Sequence, residues 1–393
     1  MIEKFNKLED SRIYHPINNI RNFTEKYVKK ERNPGIELLR IIDMYAIIIH
    51  HILHHGKLLS KYSKYQELHF INILCFFHIC VFGLISGIVG NKTHKYSNLL
   101  YLWFYVLFYS VGINIIYKLY YPNLVKNYET FNWFFPIIFL KYWYITAYFG
   151  MYLFLPIINK GLSIINKSEL KIIVLSLIGI FIIWRDFNHF KGDPFQFNSG
   201  YSVIGLLLLY IIGAYLGKYI IIKKTNIFIH IIYLIIYICS SYLCYYLFIY
   251  KGIKAKLIYM IKLKQLFSLR INSLLMIIQG ISLTLIFSRI NYNKFLIKIF
   301  CFLGPLTFGV YLIHSHPYIY TIEFQKIFQN YPINIPLKTL IFLVLLKGIK
   351  IYALCLIIDY FRNLIFKFLK IRQICILIDK ITNKILNKIN ILI

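Results

Sequence analysis

Acidic residues are scarce in this chain. Asp and Glu total 15 against 45 Lys and Arg, and charged residues make up only 15% of 393 positions. Soluble domains usually carry about 25% charged residues. The scarcity excludes an ordinary water-soluble domain, since 59% of the residues are apolar and apolar runs recur from end to end. It also weakens a proton- or ion-coupled carrier, which would place several carboxylates in its spans. Only Glu37, Asp43 and Asp359 fall there.

Other features are missing too. No Cys-x-x-Cys occurs among the seven cysteines, which sit mostly inside apolar runs and read as small buried hydrophobes rather than metal ligands or disulfides. Residues 1–33 are polar and basic and lack the apolar core and small-residue cleavage site of a signal peptide. No internal repeat, detachable soluble domain or Ser-nucleophile motif is visible. The net charge of +30 does not indicate nucleic acid, because the basic residues are spread over loops and tails. That distribution suits anionic lipid head groups and anionic cofactors.

What is present is an all-α pattern: a polytopic membrane protein of about ten transmembrane helices in one bundle. The spans lie roughly at 36–55, 70–90, 98–117, 136–158, 170–184, 201–217, 227–249, 271–288, 299–319 and 337–361. Three regions follow: a basic N-terminal segment (1–33), a transmembrane domain (34–361) and a tail (362–393). In the tail, Phe366, Leu369, Ile374, Leu377, Ile378, Ile381, Ile385 and Ile389 recur at helical spacing, as in an amphipathic surface helix. Basic residues favour cytoplasmic N- and C-termini, eight of them lying in the N-terminal segment. Against this, the loop from Lys251 to Arg270 has six basic residues and falls on the outer side.

The first span carries charge where charge is costly. Pro34 to Arg40 reads ProGlyIleGluLeuLeuArg, and the span ends in His50, His51, His54 and His55. Arg40 and His51 are 11 residues apart. At ~100° per residue this places both on one helical face, with a rise of ~16 Å between them. Ionisable groups on one membrane-helix stripe indicate a functional site. Arg40 needs a partner or an anionic ligand, and Glu37, three residues earlier, could supply the partner. His51 is a candidate general base. The i, i+4 pairs His50/His54 and His51/His55 could chelate a metal, but no companion carboxylate or cysteine set appears, so no metal site is expected.

His314, in a segment running from Gly304 to Pro317, is either a core histidine or a substrate contact. Trp143 and Tyr148 are either an interfacial aromatic belt or a substrate platform. Ser86-Gly87 allows close approach of a helix or a ligand.

At these residues the chain resembles the membrane-bound acyltransferase-3 family, whose members acylate cell-surface polysaccharides and related acceptors. The resemblance rests on Arg40-x10-His51 in its IleGluLeuLeuArgIleIle context, and on the stretches 82–88, 142–159 and 307–314, in order. It covers about residues 34–361. It implies an acyltransferase acting as an O-acetyltransferase, with acetyl-CoA or another acyl-CoA as co-substrate and no tightly bound cofactor. The implied acceptor is a hydroxyl of a cell-envelope glycan, such as an exopolysaccharide, or of its lipid-linked precursor. The implied location is the inner (plasma) membrane, crossed many times. His51 matches the family's essential histidine and Arg40 its arginine partner. Many members carry an Arg-x-x-Arg pair near the coenzyme; here Lys92 and Lys95 are the nearest basic pair, and lysine holds phosphate only as a point charge. The alternative reading is a transporter or flippase for glycan intermediates.

Overall fold

A computed structural model describes residues 32–90, 95–125, 130–184, 193, 195–221, 226–246 and 273–392. Lys92 and the 251–270 loop lie outside the described residues, as does nearly all of the N-terminal basic segment. Among the described residues there are helices and turns and no strand. The main helices are α1 (Pro34–His54), α2 (Gln66–Cys75), α3 (His78–Val89), α4 (Tyr96–Tyr120), α5 (Trp143–Ile164), α6 (Lys167–Ile178), α7 (Val203–Tyr215), α8 (Ile227–Tyr245), α9 (Leu274–Phe287), α10 (Lys294–Leu303), α11 (Thr307–His314), α12 (Leu337–Phe368) and α13 (Ile371–Leu392).

The expected spans each meet one of these helices or a broken pair of them. Five stretches are long and apolar enough to cross a membrane: Gln66–Val89, Tyr96–Tyr120, Val203–Ile220, Lys294–His314 and Leu337–Phe368. Two apolar helices are shorter, Phe228–Leu243 and Leu274–Phe287. The protein is thus an all-α polytopic membrane protein. Polar residues at helix starts act as caps. Asn166 and Glu169 form a reciprocal capping box, and Ser202, Asn226, Ser273 and Asn293 each accept a backbone N–H from three residues on.

Helix α1 is central, packed against α2, α3, α9, α10, α11 and α12. The arrangement follows from its charges, because a helix with Glu37, Arg40 and Asp43 in one half cannot face lipid without large cost. The outer helices show the reverse pattern. On α12, Leu340, Val344, Gly348, Cys355 and Asp359 are buried on one stripe, while Phe342, Ile349, Leu354, Ile357 and Phe361 are exposed. Helices α3 and α7 meet at backbone distance. A Cβ on Gly87 would fall on the Tyr210 carbonyl, and one on Gly213 on the Leu84 carbonyl. Gly87 therefore serves helix packing.

Two sequence expectations shift. The fourth span starts late: residues 136–142 form a turn, with Leu140 at φ 53°, before α5 begins at Trp143. The turn is held by Lys141 N–H donating to the Pro136 carbonyl at 2.9 Å and Thr146 Oγ1 donating to the Ile137 carbonyl at 2.7 Å. Helix α12 also runs past 361 to Phe368, so the tail helix begins at Ile371. Arg362 had marked the start of a polar tail, yet it is 3% exposed. It grips Asp359 with two bonds, Nη2 to Oδ2 at 2.8 Å and Nε to Oδ1 at 3.0 Å. The Tyr105 and Tyr109 hydroxyls donate to the same carboxylate at 2.7 and 2.8 Å, and the guanidinium stacks on the Tyr105 ring at 3.7 Å. The carboxylate also abuts Gly309 of α11, where a Cβ would fall on Asp359 Oδ1. One ion pair thus ties α4, α11 and α12 together. Helix α13 then docks on α4, with Asp379 accepting the Ser97 N–H and Arg372 donating to Asn98.

Removing one partner leaves the other charge buried and uncompensated. Asp359→Ala is expected to lower stability by about 3–5 kcal/mol, measured by chemical unfolding in detergent. A loss below about 1 kcal/mol, as for an exposed pair, would contradict the role assigned to this pair.

Candidate active site

The C-terminal half of α1 opens onto a cavity of about 820 Å³. Its wall is built from α1, α2, α3, the 140–142 turn, the start of α5 and the end of α11. His50, His51, His54 and His55 all line it, joined by His69 and His78. The rest of the wall is mostly aromatic, including Trp143, Tyr144, Tyr201 and Tyr311.

Hydrogen bonds orient several of these rings. His78 Nδ1 donates to the Cys75 carbonyl at 2.8 Å. His314 Nδ1 donates to the Val310 carbonyl at 2.6 Å, and its Nε2 lies 3.3 Å from Ser315 Oγ. A carbonyl only accepts, so each of these neutral rings carries its proton on Nδ1 and keeps a lone pair on Nε2. His50 Nδ1 lies 2.7 Å from the Asn72 side-chain oxygen, which selects the same tautomer. His51 differs. Its Nδ1 is buried with no hydrogen-bond partner, and its ring stands 5.2 Å from His314 and 5.0 Å from His55, centroid to centroid. Among the described residues, no group of three or more His, Cys, Asp or Glu side chains is placed to hold a metal ion.

The predicted site residues separate into two groups. His51 and Trp143 line the cavity, and His314 is buried behind it against the His51 ring; Trp143 meets Tyr201 edge-on at 4.5 Å. Arg40 and Glu37 pair with each other at the other end of α1, Arg40 Nη1 donating to Glu37 Oε1 at 2.9 Å. Glu37 is buried there against Gly304, while the Arg40 side chain stays 24% accessible. Arg40 does not line the cavity. Tyr148 lies between the two groups. It stacks on Tyr144, a cavity residue, at 6.4 Å, meets Tyr152 in a tilted contact at 6.3 Å, and is within electrostatic reach of Arg40. The Tyr152 hydroxyl donates to the Lys95 carbonyl at 3.0 Å, and the Lys95 side chain is exposed just before α4.

Sequence reasoning passed over three residues here. Asn72 is a polar residue in an apolar run, a signal that it has a buried partner. His78 lies in a stretch noted only for its Ser86-Gly87. Asp43 is fully buried, and neither carboxylate oxygen has a hydrogen-bond partner. It lies one residue before Met44, which lines the cavity.

The stripe, the cavity and the broken helices around them fall within one match to known proteins. A family model described as an acyltransferase domain matches residues 33–358, from the start of α1 almost to the end of α12. No curated protein and no solved structure gives a match. The chain belongs to the acyltransferase-3 family and is a membrane-embedded acyltransferase.

Proposed function

We propose that this acyltransferase moves an acetyl group from acetyl-CoA to a hydroxyl of a cell-envelope glycan or its lipid-linked precursor, with His51 as general base. The observation that carries this reading is the placement of His51: a cavity-lining imidazole whose Nδ1 has no protein partner, next to a second histidine fixed by a backbone carbonyl. A base must have a free lone pair and reach the proton it removes. His51 supplies the first, and the cavity gives a hydroxyl-bearing substrate access.

The reaction is acyl transfer. His51 takes the acceptor O–H proton as that oxygen attacks the thioester carbonyl. The new C–O bond forms, the C–S bond breaks, and the proton passes from His51 to the coenzyme thiolate. An acyl-His intermediate would divide the same change into two steps. His314, with its Nδ1 proton held by Val310 and its Nε2 facing the Ser315 hydroxyl, would pack against the His51 ring and fix its orientation. Tyr144 and Tyr311 line the same wall, and their hydroxyls would be candidates to stabilise the developing oxyanion.

Arg40 belongs to the donor side of this scheme. With the N-terminus cytoplasmic, Arg40 and Lys95 lie toward the cytoplasm, where acyl-CoA is available, and the histidine cavity lies further out. Arg40, with Lys92 and Lys95, would meet the nucleotide phosphates, and Tyr148 would flank the pantetheine arm. The protein would then reside in the plasma membrane with both termini inside.

Purified His51→Ala protein is expected to release thiol from acetyl-CoA at least 100-fold more slowly than wild type in the presence of envelope glycan lipids, the lower end of a general-base contribution. Equal rates from a folded variant would remove His51 from the mechanism. Arg40→Lys keeps the charge but loses the planar fork. It is expected to raise KM for acetyl-CoA about tenfold, with a smaller effect on kcat. An unchanged donor KM would exclude Arg40 from donor binding.

A further inference from the structure

We propose that the mouth of the histidine cavity, at Lys141, takes the acidic group of a glycan acceptor, a carboxylate or a phosphate. The inference rests on the acyl-transfer reading above and narrows its acceptor.

The first observation is the sign of the wall. Among the described residues, the ionisable side chains lining the cavity, tyrosines aside, are Lys141 and six histidines, with no Asp or Glu. Lys141 is the one Lys or Arg among the described lining residues. Of the nearby carboxylates, Glu37 is committed to Arg40, Asp359 to Arg362 and two tyrosines, and Asp43 is buried one residue before Met44 without lining the wall.

The second observation is that Lys141 is unused. Several lysines that are not fully exposed have evident tasks. Lys61 donates to three carbonyls at 328–331, Lys218 donates to the Leu162 carbonyl, Lys326 pairs with Glu323, and Lys347 lies over the Phe328 and Tyr331 rings. Lys141 is half-buried, yet among the described residues it makes no hydrogen bond, ion pair or ring contact through its side chain. A half-buried ammonium with no partner is costly unless a ligand or water completes it.

The third observation is local backbone. Lys141 follows Leu140, a non-glycine residue at φ 53°, which also lines the cavity. The turn then delivers Lys141 to the start of α5, a 22-residue helix whose N-cap, Tyr142, makes no side-chain cap. The Tyr144 N–H in the first turn is taken by the Tyr311 hydroxyl, and the helix dipole still favours negative charge near the place where the lysine stands. Tyr142 cannot supply the cap because its hydroxyl donates instead to the Leu312 carbonyl at 3.0 Å. The turn therefore sets Lys141, a lining residue, beside the start of α5, and both favour an anion.

An anion here has two sources, the acceptor or the coenzyme's phosphates. The geometry favours the acceptor. Lys141 belongs to the cavity end of the molecule, whereas Arg40, the donor-side cation, is 11 residues back along α1 from His51, ~16 Å of helix rise.

The test is binding by the purified full-length protein in detergent at low salt, so that turnover is not needed. Isothermal titration compares p-nitrophenyl β-D-glucuronide and p-nitrophenyl β-D-glucoside 6-phosphate with the neutral p-nitrophenyl β-D-glucoside. At least one acidic glycoside is expected to bind about tenfold more tightly than the neutral one in wild type. That preference is expected to vanish in Lys141→Gln and to persist in Lys141→Arg. Equal affinities for all three in wild type overturn the proposal, as does a preference that survives Lys141→Gln. A parallel titration with coenzyme A separates the sources: if Lys141→Gln weakens coenzyme A binding by a similar factor, the anion at Lys141 is the donor's and the acceptor assignment fails. Thiol release by wild type and His51→Ala reports separately on the transfer reaction, so its failure is not confused with a failure at Lys141.

Discussion

The rest of this fold depends on the cost of placing charge in hydrocarbon. Helix α1 carries Glu37, Arg40, Asp43 and a run of histidines, and none of these can be left against lipid tails. The chain resolves this by wrapping α1 in six other helices and pairing the one fixed cation with the nearest carboxylate. Every other helix is then free to turn an apolar stripe outward. The same logic governs α12, where Arg362 and Asp359 cancel within one turn and two tyrosine hydroxyls complete the carboxylate's hydrogen bonding. Charge is permitted inside this molecule only where it is enclosed.

That rule also explains what could be read from the residues in advance. The stripe from Arg40 to His51 stands out because helical phase is set by residue number alone, and the structure keeps α1 helical over its whole length. The amphipathic tail helix is readable for the same reason. The Asp359–Arg362 pair was not readable as a core element. Three-residue spacing permits the contact, but nothing in one sequence tells that Tyr105 and Tyr109, some 250 positions earlier, arrive to bury it. The turn at 136–142 escaped because its residues, Lys141 aside, are apolar or aromatic, and hydropathy does not distinguish a turn held by side-chain and carbonyl bonds from a first helical turn. The role of Asn72 depends on a long-range partner in the same way. Its bond to His50 crosses 22 residues.

The site is accordingly divided. One end of α1 holds an ion pair that is partly open to solvent; the other holds rings whose protons are set by backbone carbonyls. Fixing Nδ1–H on His78 and His314 leaves the opposite nitrogen of each as an acceptor, which on His314 meets the Ser315 hydroxyl. A column of tyrosines on α5 connects the two ends, with Tyr148 in the middle.

The unbroken backbone of α1 has a mechanical meaning. Between Arg40 and His51 there is no proline, glycine or turn to flex. The two side chains are mounted on one stiff rod, and their spacing of ~16 Å along it cannot be adjusted by a ligand. Motions of the surrounding helices can open or close access to either end, but they cannot change the interval. Such a rod acts as a ruler. On the proposed reading, a molecule anchored at the arginine end would present to the histidine whichever of its atoms lies one rod-length away, so the extent of the ligand, more than the strength of any one contact, would decide which bond is offered for reaction.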